Sequence, residues 1–267
     1  MAITASMVKE LREMTGAGMM DCKKALTETN GDMDAAVEVL KKSGAAKMEK
    51  KASRIAAEGL CRVIVKDDTT AAVVEVNSET DFVAKNEQFS AFVAHLAEIV
   101  AETNPATVEE LMTKTMKDGN TVEAGLQEKI LVIGENIKIR RFERLEGGRL
   151  IPYVHGEGRI GVLVEAEGSL ADEAAYEAAR DVAMQAAAMN PIAVNRDSVP
   201  EDVVAHEKEM IKAEMKNDEK NKNKPEDILE KMAVGKLGKF FKIEFIRSQH
   251  PCHTGKPQYY RNNHHRN

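Results

Sequence analysis

The sequence predicts an α+β protein: an N-terminal three-helix unit, a two-subdomain core of small antiparallel sheets with covering helices, and a projecting helical hairpin. Three observations carry this. Apolar residues between Thr4 and Gly44 recur at helical spacing and are broken twice by glycine-containing stretches. The order strand, turn, strand, helix then occurs twice, over Leu60–Val100 and again over Leu150–Met189. Finally, two charged helical stretches between Pro200 and Val234 flank a polar turn. The chain is 43% apolar but 4% aromatic and has no Trp, so Ala, Val, Leu, Ile and Met must supply the core.

In the first segment, 1–44, Val8, Leu11 and Met14 repeat at helical spacing, and Thr15-Gly16-Ala17-Gly18 breaks the helix. A second helix from about Met19 to Glu28 stops at Asn30-Gly31. Asp32 caps the third, with Ala36, Val37 and Leu40 on its apolar side. A three-helix unit of this size resembles a ubiquitin-associated domain, in which the loop corresponding to Gly18-Met19-Met20 commonly binds partners. One of Met19 and Met20 is expected in the small core, although methionine also suits an adaptable interface. Lys23 reads first as a solvated helix charge. Residues 45–56 begin with an Ala- and Lys-rich run without a breaker, expected as a helical or partly ordered linker.

Core subdomain N is expected over 57–145. Leu60–Lys66 and Ala71–Asn77 read as a hairpin, and Phe89, Phe92, Val93, Leu96, Ile99 and Val100 share one helical face. A helix near Val108–Lys117 follows. In Lys129–Phe142, Ile137 and Ile139 alternate with Lys138 and Arg140 as in a strand with one wet face, and Gly134 interrupts the pattern. Core subdomain C is expected over 146–192, with a second hairpin and a helix from about Leu170 to Met189. The hairpin over 193–230 carries little apolar surface and is expected as a coiled-coil arm able to join two copies, with a return to subdomain C over 231–242. Beyond about Ile243 the composition shifts: no acid follows Glu244, and four of seven histidines fall there. The expectation for 243–267 is disorder. Cys252, His250, His253, His264 and His265 match no zinc spacing.

Asn77-Ser78-Glu79-Thr80-Asp81-Phe82-Val83-Ala84-Lys85-Asn86, between strand and helix, holds the candidate site. Two readings stay open on the residues alone. Thr80 or Asp81 caps a helical turn and Phe82 folds into the core, which general residue preferences favour. Alternatively Phe82 is a rigid anchor for a partner's pocket, with the charge of Asp81 beside it. This stretch, Thr15–Leu26, Ile133-Gly134-Glu135-Asn136-Ile137, and His155-Gly156 with Arg159–Val164 together resemble the translation elongation factor Ts family, in family order and as far as about Phe241. The tail from about Ile243 departs from it, where the family continues with a strand-rich segment; an unpaired sheet edge is therefore expected.

The resemblance implies a guanine-nucleotide exchange factor for elongation factor Tu, acting on its GDP-bound and nucleotide-free forms. It implies that Asp81 and Phe82, with Thr80 beside them, enter near the partner's magnesium and phosphate site. It also implies contacts by Ile133 and Gly134, by His155, by Met20 and Lys23, and by Val234. No cofactor, metal or catalytic residue is implied. The residues agree: no phosphate loop, nucleophile elbow or metal spacing appears, which argues against an enzyme. Net charge is −6, which favours a protein partner over nucleic acid. Three spaced cysteines, no leader pattern and no apolar run of membrane length suggest a cytoplasmic protein. The alternative is an interaction module without exchange activity; a hydrolase or metal enzyme would need the tail histidines or His155.

Overall fold

The structure is a computed structural model that describes residues 2–67, 69–166, 173–218, 221, 224–243 and 258–261. It opens with α1 (Ala5–Thr15), α2 (Met19–Glu28) and α3 (Met33–Lys51). Thr4 and Asp32 cap α1 and α3, accepting from Met7 N at 3.3 Å and Ala35 N at 3.0 Å. Val8, Leu11, Ala17, Cys22, Ala25, Leu26, Ala36 and Leu40 form the core of this unit, joined by Leu131 from the next. Met14, Met19 and Met20 all stay outside it. The expected core placement of one of the last two is thus corrected. The inward rows of α2 are set by Cys22, Ala25 and Leu26; Met20 falls off those rows, and Met19 precedes the buried turn. α3 runs on past Gly44 without a break to Lys51. Residues 45–51 of the expected linker are thus helical.

The core begins with β1 (Glu58–Lys66) and β2 (Thr70–Ser78), then α4 (Asp81–Ala84), α5 (Glu87–Thr103), α6 (Val108–Thr113), α7 (Val122–Ile133) and β3 (Lys138–Glu146). The three strands form an antiparallel sheet in the order β1-β2-β3. Lys129–Ile133 is the end of α7, not part of a strand. Gly134 terminates that helix at φ +87°, its N–H donating to Ile130 O at 3.0 Å, so its role is a left-handed cap. The run Ile130–Ile133 is apolar enough for either structure, and the residues upstream of it decide for helix.

Next come β4 (Arg149–His155), β5 (Ile160–Ala166) and α8 (Glu173–Met189); the expected start of that helix near Leu170 lies outside the described residues. Alternation along the strands sorts the faces. Leu60, Ala72, Val74 and Val76 pack under α5, α6 and α7. Ile151, Val162 and Val164 pack under α8. The opposite faces meet, with Cys61, Val63, Ala71 and Val73 against Leu150 and Leu163. The result is four layers, helices–sheet–sheet–helix. Gly161 allows the close approach: a Cβ there would stand 3.1 Å from both Cys61 Cβ and Val63 Cγ2. Glu75, fully buried on the Val73 side of β2, is held by Arg141 Nε at 2.7 Å and Arg140 Nη1 at 3.4 Å.

α9 (Glu201–Asn217) and α10 (Glu226–Ile243) form the hairpin. It has more apolar surface than expected, because Ile211, Met215, Leu229, Ala233, Leu237 and Phe241 make a cluster of their own. α10 runs unbroken across the boundary expected at 230/231. The tail expectation is corrected at four residues. β6 (Gln258–Arg261) pairs antiparallel with β5, from Ile160 opposite Arg261 to Leu163 opposite Gln258. Its two tyrosines have strand propensity, and they pair the edge that was expected to be open. The tail cysteine and histidines lie outside the described residues.

Candidate partner-binding tip

β2 delivers the chain to a short turn at Glu79-Thr80, and α4 is a single helical turn. In such a turn successive side chains point about 100° apart, so two neighbours cannot both face inward. Val83 takes the inward place, joining the cluster that includes Leu60 and Phe89. Phe82 points out and is 81% exposed. The core reading of Phe82 is therefore overturned. Burying such a ring against another surface is worth about 1.5–3 kcal/mol. Thr80 occupies the cap position of α4, but its side chain makes no capping bond. Asp81 is paired with Lys85 at 3.7 Å across exposed surface, a contact that holds little by itself.

The turn is held from a distance. Glu135 Oε2 accepts from the backbone N–H groups of Glu79 and Thr80, both at 3.0 Å. Glu135 Oε1 accepts from Thr80 Oγ1 at 2.6 Å. In return, Glu79 Oε1 accepts from Asn136 N at 2.6 Å and from Arg54 Nη1 at 3.4 Å. Asn136 Nδ2 donates to Arg54 O at 2.8 Å, and Lys51 Nζ donates to Gly134 O. Partial burial, and then the positive charge of Arg54, lower the Lys51 pKa. Two carboxylates thus exchange bonds between the loop before α4 and the loop after α7, which ties Thr80, Asp81 and Phe82 to Ile133 and Gly134.

The other expected residues are placed more loosely. The break at Gly16 abuts Val132, next to Ile133, so the N-terminal loop leading to Met19 and Met20 starts beside the same turn. Met20 is 76% exposed and Lys23 is exposed, while Asp21 bonds Lys47 at 2.8 Å. His155 is exposed at the end of β4, its Nδ1 2.9 Å from Tyr153 Oη. The turn it starts brings Gly158 against Leu60, the residue that also shares a cluster with Val83. Val234 lies on α10, half exposed, and no described contact joins it to the tip. Sequence reading did not assign a role to Arg54, Glu79, Glu135 or Asn136. Among the described residues, no group of three or more His, Cys, Asp and Glu could hold a metal, and no helix is long and apolar enough to cross a membrane.

A family model described as elongation factor TS matches residues 79–251, from the clamp's first carboxylate into the tail. Elongation factor Ts of Thioalkalivibrio sulfidiphilus is 52% identical over 244 residues, 90% of this chain and 80% of the relative. The chain belongs to the elongation factor Ts family. Elongation factor Ts of Clostridium perfringens (strain 13 / Type A) is 49% identical over 243 residues, again 90% of this chain and 79% of the relative. As a member of that family, the chain is a factor of translation elongation, in protein biosynthesis. The match runs ten residues beyond Phe241, where the resemblance read from the sequence ends.

Proposed function

We propose that this chain is a guanine-nucleotide exchange factor for elongation factor Tu, and that Asp81-Phe82 is the part that works on the partner's nucleotide site. The observation that carries this is the 81% exposure of Phe82 on a turn whose leading residues, Glu79 and Thr80, are held by the loop after α7. An aromatic ring left in water costs the free protein apolar burial, and a partner's pocket recovers it. Asp81 beside it offers a carboxylate that competes with the nucleotide's phosphates for the positive charge and donors around them. Ile133, Gly134 and His155 form the flanks of the contact, and Met20 and Lys23 extend it onto the three-helix unit. Val234 is a separate, weaker contact. The chain needs no cofactor of its own and acts in the cytoplasm.

The physics is linkage. A factor that binds nucleotide-free partner more tightly than GDP-bound partner weakens GDP by the same factor, about tenfold for each ~1.4 kcal/mol of difference. The test is release of a fluorescent GDP analogue from elongation factor Tu, chased with excess GDP. Acceleration that rises with the concentration of this protein is expected. Binding without acceleration would favour the plain interaction module instead. Partner binding by Phe82→Ala separates the two further: on the exchange reading it weakens, and on the module reading it is unchanged.

A further inference from the structure

We propose that Glu135 is the positioning residue of the Asp81-Phe82 tip, and that with Glu79 it fuses the tip and the Ile133-Gly134 turn into one rigid contact element. The proposal rests on the exchange reading above. α4 has four residues and no side-chain cap, so it cannot hold its own shape; isolated helices several times longer are marginal in water. Val83, buried in the core, anchors one side of the turn, and what fixes the entry of the chain into it must come from elsewhere. The Glu135 carboxylate supplies it, taking three donors from Glu79 and Thr80, the two residues that lead into α4. Bonds to an ionised acceptor are stronger than neutral ones, and here they are shielded by partial burial. Glu79 answers by taking the Asn136 N–H, so a shift of either loop would break bonds at both.

Such an arrangement orders the ring before the partner arrives. A side chain already fixed in its docking direction loses less freedom on binding, and the two contact points arrive together in one geometry. Glu135 itself touches neither the partner's nucleotide nor Phe82 in this picture. It acts through the backbone of residues 79 and 80.

The experiment is a double-substitution cycle read in the GDP-release assay, with urea unfolding alongside. Glu135→Ala removes all three acceptor contacts and should slow exchange about tenfold. Glu135→Gln can keep its oxygen on the two backbone N–H groups and turn its amide toward the Thr80 hydroxyl, which then accepts. It should stay within about twofold of wild type. Thr80→Val removes one contact and should slow exchange about threefold. In a Phe82→Ala background Glu135→Ala and Thr80→Val should each slow exchange by no more than about twofold, because the ring they position is gone and only the Ile133-Gly134 contact is left to disturb. That loss of effect, together with rescue by glutamine, is what a merely stabilising role would not produce. Equal slowing by Glu135→Ala with and without Phe82, or wild-type exchange by Glu135→Ala, would overturn the proposal. If Glu135→Ala does not fold, the Thr80→Val pair carries the same test. Failure of the unsubstituted protein to speed GDP release would instead overturn the exchange reading first, and is seen before any substitution is made.

Discussion

The two subdomains repeat one plan, a hairpin packed under a helix, but they fill it with different side chains. In the first, α5 presses Phe89, Phe92, Leu96 and Val100 onto β1 and β2. In the second, α8 presses Ala179, Ala183, Ala186 and Ala187 onto β4 and β5. Large side chains hold a helix off its sheet and make the core deep; alanines let the helix lie close and leave no room to grow. The surface features differ in the same way. The tip of the first subdomain is held by partners 55–57 residues away, whereas His155 of the second is met by Tyr153 two residues before it. α6 and α7, inserted between α5 and β3, make the difference, because the end of α7 leads to the clamping carboxylate.

The sharpest way to break this contrast is by deletion in the first subdomain. Phe89→Ala should cost about 3–5 kcal/mol of stability, since the ring is fully buried. Phe82→Ala, in the same stretch, should stay within about 0.5 kcal/mol of wild type. Urea unfolding of the two variants checks both. Enlargement in the second subdomain comes next. Ala183→Leu, fully buried between α8 and the sheet, should destabilise by about 1–3 kcal/mol through overpacking, seen as a lower urea midpoint at unchanged slope. A midpoint equal to wild type would mean the alanine-lined layer is not tightly closed.

The smallest effect concerns the seam between the sheets. Burial there, and then the negative charge of Glu75, push the Cys61 thiol up to about 12 from 9.0. The unfolded chain therefore releases this proton at lower pH than the folded one. The contribution is complete below pH 9.0 and is lost as pH rises from there toward about 12. Cys61→Ala should flatten part of the alkaline fall in stability measured by urea midpoints from pH 8 to 10, and an unchanged fall would place the thiol in contact with water.

Much of this plan was legible because it rests on periodicity. Alternation in Leu60–Lys66 and Ala71–Asn77, and the apolar face from Phe89 to Val100, locate the first sheet and its helix correctly. What failed was local ambiguity. Ile130–Ile133 alone fits strand or helix equally well, and it is helical as the end of the helix that starts at Val122. Met19 and Met20 are apolar in sequence but stand clear of a core already closed by residues such as Leu11, Cys22, Leu26 and Leu40. The motif at Asp81-Phe82 could be found in the sequence, yet its support could not. Glu135 and Glu79 are 56 residues apart, in a chain with 44 acidic residues, and nothing in local pattern pairs them.

The most direct measurement compares GDP-analogue release from elongation factor Tu with wild-type protein and with Phe82→Ala, on samples whose urea unfolding curves coincide. The exposed tip predicts strong acceleration by the wild type and a loss of at least about tenfold in the variant. Equal acceleration by both would contradict it, because an exposed ring that can be removed without cost to folding or to exchange is not the working part of the molecule.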